Sequence, residues 1–253
     1  MSSLDFSPSP GAAPVTRRVV SHALTETGLL LRNGEQLLLA LVIPIAILAG
    51  GQLAPGRHWE LTTLAPSVLT LAVWSTAFTS VAISTGFERR YGVLERLAST
   101  PLTRRGLLAG KAGSVILVIF LQLAVLTTVA VAAGWRLAFD GLSLLLSTAG
   151  MLLGIATFCC FALLLAGTLR AEATLALANL LHLVLLAGGA LVLPVAAYPE
   201  AVQPVIGLLP TAAMGELLRQ GSVGQALWWP LPLLAGWLLL GATLASHSFR
   251  WTA

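Results

Sequence analysis

Charge is missing from six long stretches of this chain, and that constrains its fold more than any other feature. Uncharged runs separate Glu35 from Arg57, Glu60 from Glu88 and Lys111 from Arg136. Further runs separate Asp140 from Arg170, Glu172 from Glu200 and Arg219 from Arg250. A helix needs about 20 apolar residues to cross roughly 30 Å of hydrocarbon, and each run is long enough. The remaining run, Ala201 to Gly215, falls short of that length and holds Pro204 and Pro210. It is too short to span and reads as an interfacial or re-entrant segment. Runs such as residues 142–146 and 163–165 lack the period-2 alternation that a membrane barrel requires.

Composition supports the same conclusion. Only 9% of the 253 residues are charged and 57% are hydrophobic, with a mean hydropathy of +0.90, against roughly 25% charged residues in soluble domains. This excludes an ordinary cytosolic enzyme and a disordered chain. A surplus of four positive charges is too small for a nucleic-acid-binding surface, so no nucleic-acid partner is expected. The two cysteines, Cys159 and Cys160, are adjacent and supply neither a disulfide framework nor metal-ligand spacing. The predicted fold is an all-α polytopic membrane protein. Its six transmembrane helices lie at about 37–55, 61–87, 107–134, 142–169, 174–197 and 226–248, with a re-entrant external segment before the last.

Orientation follows from Lys and Arg placement. With a cytoplasmic N-terminus, that side holds Arg17, Arg18, Arg32, Arg89, Arg90, Arg96, Arg104, Arg105, Lys111, Arg170 and Arg250, and the other holds Arg57, Arg136 and Arg219. Eleven against three obeys the positive-inside rule. A multi-pass protein of the cell inner (plasma) membrane with both termini cytoplasmic is expected. Trp59, Trp135, Trp228, Trp229 and Tyr198 then fall near the outer headgroups, and Tyr91 and Trp251 near the inner ones. Residues 1–16 read as a disordered tail without the basic and apolar regions of a cleaved signal. From Arg17 to Asn33, apolar Val19, Val20, Ala23, Leu24, Leu30 and Leu31 alternate with His22, Glu26 and Arg32, the pattern of an amphipathic interfacial helix.

All ten acidic residues fall outside the six spans, whereas ion-coupled carriers generally hold ionisable groups at membrane depth. His182, three residues after Asn179, is the one titratable intramembrane candidate with a polar neighbour. The pair serves either a relay or substrate contact, or helix packing. The second span carries Ser75, Thr76, Thr79, Ser80, Ser84 and Thr85, with Thr76, Ser80 and Ser84 on one helical face. These side chains, with Gln122, Thr127 and Thr128 of the third span, either line a translocation path or let helices approach closely. No catalytic or metal-ligating set is expected. An intramembrane serine protease would use His182 as base, but the fourth span offers Thr157, Cys159 and Cys160 where a serine nucleophile would lie, and Ala112-Gly113-Ser114 lies at a cytoplasmic helix start. A non-transporting receptor or assembly subunit is a further alternative.

Residues 87–111 concentrate charge: Glu88, Arg89, Arg90, Glu95, Arg96, Arg104, Arg105 and Lys111. At 100° per residue, Tyr91, Val93, Leu94, Leu97 and Ala98 share one arc, opposite Glu88, Arg89, Glu95 and Arg96. The second helix is therefore predicted to continue as an amphipathic cytoplasmic element until Pro101 stops it. Thr103 is placed to cap the next helix. Mixed charge on a short rigid element suits docking to a soluble protein.

The stretch Phe87-Glu88-Arg89-Arg90-Tyr91-Gly92-Val93-Leu94-Glu95-Arg96-Leu97, then Ser99-Thr100-Pro101-Leu102-Thr103-Arg104 and Gly110-Lys111, resembles the signature of type-2 ATP-binding-cassette transporter permeases. These are membrane subunits of drug, antibiotic and polysaccharide exporters. Gly188-Gly189, Pro194, Pro199, Leu209-Pro210-Thr211, Leu217-Leu218-Arg219 and Gly221 are similar to that family's re-entrant segment, and the N-terminal helix is similar to its connecting helix. The resemblance implies a coupling element at residues 88–105 within a permease domain at 17–253. Glu88, Arg89, Arg90, Tyr91, Gly92, Leu94, Glu95, Arg96, Pro101 and Arg104 would meet a separate ATPase subunit. It also implies a second permease chain, identical or related, and no cofactor on this chain, with ATP and Mg²⁺ on the partner. Consistent with that, the lookalike Gly106-Leu107-Leu108-Ala109-Gly110-Lys111-Ala112 has one residue too few between its glycines for a phosphate-binding loop, and Ala where Ser or Thr belongs.

Overall fold

Long apolar runs bounded by charge leave the backbone one economical solution, a bundle of helices that satisfies every main-chain group internally. A computed structural model describes residues 11, 13–32, 34, 41–53, 60–98 and 100–249. Residues 1–10 and 12 of the expected tail, both ends of the expected first span, Arg57, Trp59 and Trp251 lie outside them.

In chain order the helices are α1 (Val15–Arg32), α2 (Ile43–Leu53), α3 (Leu61–Trp74), a π-helical segment (Ser75–Ser80), α4 (Val81–Arg90) and α5 (Val93–Ala98). Then follow α6 (Arg104–Ala132), α7 (Gly141–Thr168), α8 (Ala171–Gly188), α9 (Gln203–Gly207), α10 (Pro210–Gly221) and α11 (Pro230–Ser248). Among the described residues five helices are long and apolar enough to cross a membrane: Leu61–Arg90, Gly106–Ala132, Gly141–Thr168, Ala171–Gly188 and Pro230–Ser248. The described part of the first apolar run is the 11-residue α2, about 16 Å long at 1.5 Å per residue. The helix of the expected fifth span, α8, stops at Gly188 and not at 197, and the chain continues through a 3₁₀ turn, Val195–Ala197.

The Leu61–Arg90 helix is the hub. In its apolar window 78% of residues are buried inside the protein, against 17% for both Ala171–Gly188 and Pro230–Ser248. The main core gathers Leu71, Trp74, Phe78 and Val81 of the hub with Ile119, Phe158, Met214, Leu217 and Leu234 from α6, α7, α10 and α11. Trp74 stacks on Phe78 at 4.3 Å and meets Phe158 edge-on at 5.0 Å. A second cluster joins Leu48, Leu64, Val68, Leu126, Ala130 and Trp135. Trp135, expected among the outer aromatic residues, is only 3% exposed, because the turn after α6 folds its ring back into this cluster.

Lipid tails are as apolar as Leu, so helix association in a bilayer depends on close packing and polar glue. Both are present where α10 meets α7. A Cβ at Gly150 would collide with the Leu217 side chain, and one at Gly154 would come within 2.5 Å of Met214. Ser147 Oγ donates to the Leu217 carbonyl at 3.1 Å. Nine of the twelve α10 residues are buried, packed against α3, α7 and α11.

Candidate functional site

The charged loop folds into a knuckle. Thr103 caps α6, its side chain accepting the Gly106 N–H at 3.2 Å. The expected uninterrupted helix into residues 91–98 breaks instead at Gly92, whose φ is +67°. That left-handed conformation suits glycine and ends the i→i+4 ladder, so α4 stops at Arg90 and α5 starts afresh at Val93. Leu94, Leu102 and Leu107 form a small core with Val19, Leu97 and Phe249. The knuckle is thereby fastened to α1, α6 and the end of α11, and Arg18 donates to the Pro101 carbonyl.

Three consecutive side chains tie the end of the hub to three different helices. Lys111 Nζ of α6 lies 2.6 Å from both carboxylate oxygens of Glu88, with the two side chains 9% and 18% exposed. Arg89, buried, donates to the Ala166 carbonyl in the last turn of α7. Arg90 pairs with Glu172 at the start of α8 and lies 5.8 Å from the Tyr91 ring. Glu88 and Arg89 therefore face inward, whereas Tyr91, Glu95, Arg96 and Pro101 lie at the surface. The Arg104 side chain is outside the described residues. Gly106 and Gly110 of the phosphate-loop lookalike are helical and pack against Val19 and His22 of α1. α1 turns His22 and Glu26 inward and leaves Val15, Val20, Leu24 and Leu29 exposed.

The polar stripe of the hub divides in two at the π-helical segment. Thr76 Oγ1 donates to Gln122 Oε1 of α6 at 2.8 Å, buried. Thr79 Oγ1 lies 3.1 Å from His182 Nδ1 of α8, so His182 has a partner in Thr79, far away in sequence, and not only its helical neighbour Asn179. Ser75 donates to the Leu71 carbonyl and Ser84 to the Val81 carbonyl. Ser75, Thr79, Ser80, Asn179 and His182 line a cavity of about 200 Å³ together with the apolar Ile43, Leu183 and Leu186. On the other side, Ser80, Ser84, Thr76 and Ser114 border a pocket of about 10 Å³ with Glu26 and Lys111, space for one water. The Thr85 hydroxyl is buried without a partner, and Thr128 donates to the Ala124 carbonyl.

Sequence reasoning missed a third polar node. Arg219, 4% exposed, donates to Ser67 Oγ at 3.0 Å, to the Ala190 carbonyl at 3.1 Å and to Glu216 Oε1 at 3.1 Å. The same Glu216 oxygen accepts the Val195 N–H, and Thr211 donates to the Gly189 carbonyl. The i, i+3 spacing of Glu216 and Arg219 is readable in sequence. Their burial is not, because Ser67 belongs to a distant part of the chain, at the start of the hub.

Such a bundle, with a charged knuckle at one end and polar seams between apolar helices, defines a multi-pass membrane protein. The family model described as "ABC-2 family transporter protein" matches residues 61–246, nearly three quarters of the chain. The chain belongs to the ABC-2 family of transporter membrane proteins. Comparison with curated proteins returns no match.

Proposed function

We propose that this chain is the membrane-spanning subunit of an ATP-driven exporter of hydrophobic or amphipathic molecules (a drug, an antibiotic or a lipid-like compound), working as a pair of permease chains with a separate ATPase subunit. In this reading the knuckle and both chain ends are cytoplasmic and the membrane is the plasma membrane. The observation that carries the reading is the threefold fastening of Glu88, Arg89 and Arg90 beside an exposed mixed-charge element. A push on Tyr91, Glu95 and Arg96 is not absorbed locally, because Leu94 is locked into the core with Leu102 and Leu107. It reaches α6 and α7 through contacts shielded from water, and α8 through the exposed Arg90–Glu172 pair. The partner would bind ATP with Mg²⁺ and supply the free energy of hydrolysis. Coupling requires nucleotide and cargo each to favour one arrangement of the helices.

The cavity between the hub and α8 supports the cargo class. Hydroxyl, amide and imidazole groups together with Ile43, Leu183 and Leu186 match a molecule with an apolar body and a few hydrogen-bonding groups. Its Ser, Thr, Asn and His lining offers no carboxylate or guanidinium for an ion or a highly charged sugar.

The test is reconstitution with the partner ATPase. The chain alone hydrolyses no ATP. Glu95→Ala combined with Arg96→Ala leaves expression normal and abolishes export, while Thr79→Val shifts the preference among cargoes and leaves partner hydrolysis intact. Robust hydrolysis by the chain alone, or undiminished export by the double variant, overturns the proposal.

A further inference from the structure

A basic pocket lies beside the knuckle, among the residues that fasten the hub to α7 and α8, and its reading rests on the coupling role proposed for them. It has a volume of about 310 Å³ and is lined by Gly86, Arg89, Arg90, Arg170, Ala171 and Glu172. Three guanidinium groups face one carboxylate. Arg89 is only 9% exposed and directs one nitrogen to the Ala166 carbonyl. Arg90 and Glu172 form an ion pair at the rim with side chains 49% and 62% exposed, and Arg170 is exposed. After the Arg90–Glu172 pairing, two positive charges remain in the walls. Arg170 is also the N-cap of α8 and makes no side-chain cap hydrogen bond, so the first-turn N–H groups of an 18-residue helix add positive potential to the same spot.

The depth of the pocket identifies what it meets. The hub span ends at Arg90 and the α8 span begins at Ala171, so the arginines sit where hydrocarbon gives way to headgroups. Along α8, below the pocket, Leu180 and Val184 are 55% and 54% exposed, an apolar strip on which acyl chains can lie. Basic pockets between spans at this level bind the headgroups of anionic lipids, and the guanidinium fork matches a phosphate's oxygens two at a time.

The geometry points to a binding site for a phosphate-bearing headgroup between the end of α4 and the start of α8, with Arg170 and Arg90 as its outer ligands and Arg89 as its floor. Glu172 competes with the phosphate for Arg90, so an occupied site loosens the Arg90–Glu172 pair and with it one of the hub's three fastenings. A phospholipid of the adjacent leaflet and a soluble phosphate share this chemistry. The exposed strip on α8 favours the lipid.

The experiment uses the purified full-length chain in an uncharged detergent. It measures the thermal transition during titration with short-chain phosphatidic acid, phosphatidylcholine of equal chain length, or inorganic phosphate. Phosphatidic acid raises the transition, and phosphatidylcholine, whose choline cancels the charge, does so far less. Arg170→Gln and Arg90→Gln each weaken the phosphatidic acid effect about fivefold, and Glu172→Gln strengthens it by removing the competitor. Inorganic phosphate acting as strongly as phosphatidic acid supports the phosphate site and assigns it to a soluble ligand. Arg170 is exposed, so its replacement does not endanger the fold. Equal binding by wild type and Arg170→Gln, or no gain in Glu172→Gln, overturns the proposal.

Discussion

Replacing Arg219 by Met tests the claim that a buried polar node holds α10 against the hub. The substitution keeps an unbranched side chain and removes the guanidinium. It deprives Ser67 Oγ, the Ala190 carbonyl and Glu216 Oε1 of their donor, and leaves the Glu216 carboxylate, 14% exposed, with the Val195 N–H alone. Removing one member of a buried pair costs about 3–5 kcal/mol. For a chain of this size each kcal/mol moves a thermal midpoint by about 2–4 °C, so Arg219→Met lowers the midpoint by about 6–20 °C. The second variant, Glu216→Gln with Arg219→Met, removes both charges while its amide oxygen still accepts from Val195. It recovers most of the loss, because the main penalty is an uncompensated charge. Thermal melting in detergent, followed by gel filtration of the surviving folded protein, reads both. A single variant within about 3 °C of wild type, or a double variant melting below the single, refutes the reasoning.

The capping box at the start of α7 has a pH signature. Ser143 donates its N–H to Asp140 Oδ1 at 2.6 Å, which holds the Asp140 carboxyl below its ordinary value, and its hydroxyl accepts the Asp140 N–H to complete the box. A depressed folded pKa stabilises above the unfolded value of about 3.9 and is lost as pH falls through the folded one. The melting difference between wild type and Asp140→Ala therefore persists at neutral pH and shrinks below about pH 4. Gly92→Ala forces an L side chain into φ +67° and destabilises by about 1–2 kcal/mol, read by melting. Gly221→Ala drives a methyl into Ser147 Oγ and, as an overpacked contact, costs about 1–3 kcal/mol. A companion Ser147→Ala relieves part of that loss in the same assay.

Much of the helical layout is legible in the sequence because charge is so costly in hydrocarbon that its spacing marks helix ends. Thr103 before an apolar run and Pro101 before Thr103 are equally readable, since caps and breakers act within a few residues. The break at Gly92 is not. A lone glycine inside an amphipathic pattern fits a continuous helix as well as a turn, and here the core around Leu94 selects the turn. Helical arcs group the docking residues, yet Glu88 and Arg89 turn inward because Lys111 and the end of α7 offer partners that no local pattern encodes. In sequence His182 pairs with Asn179 because both lie on α8, and the contact with Thr79 needs the third dimension. The glycines four apart at 150 and 154 are the one local signal for the α10 seat, since small residues on a helical face mark where a neighbour can approach.

The π-helical segment in the middle of the hub has a mechanical consequence. Such a turn holds one residue more than its α-helical equivalent, and resolving it into ordinary helix would advance the following backbone by about 1.5 Å and rotate it by about 100°. The hub is thus less a rod than a screw with one loose thread. Under the proposed coupling, a shove arriving at Arg90 would be converted at residues 75–80 into a twist, felt where Thr79 meets His182.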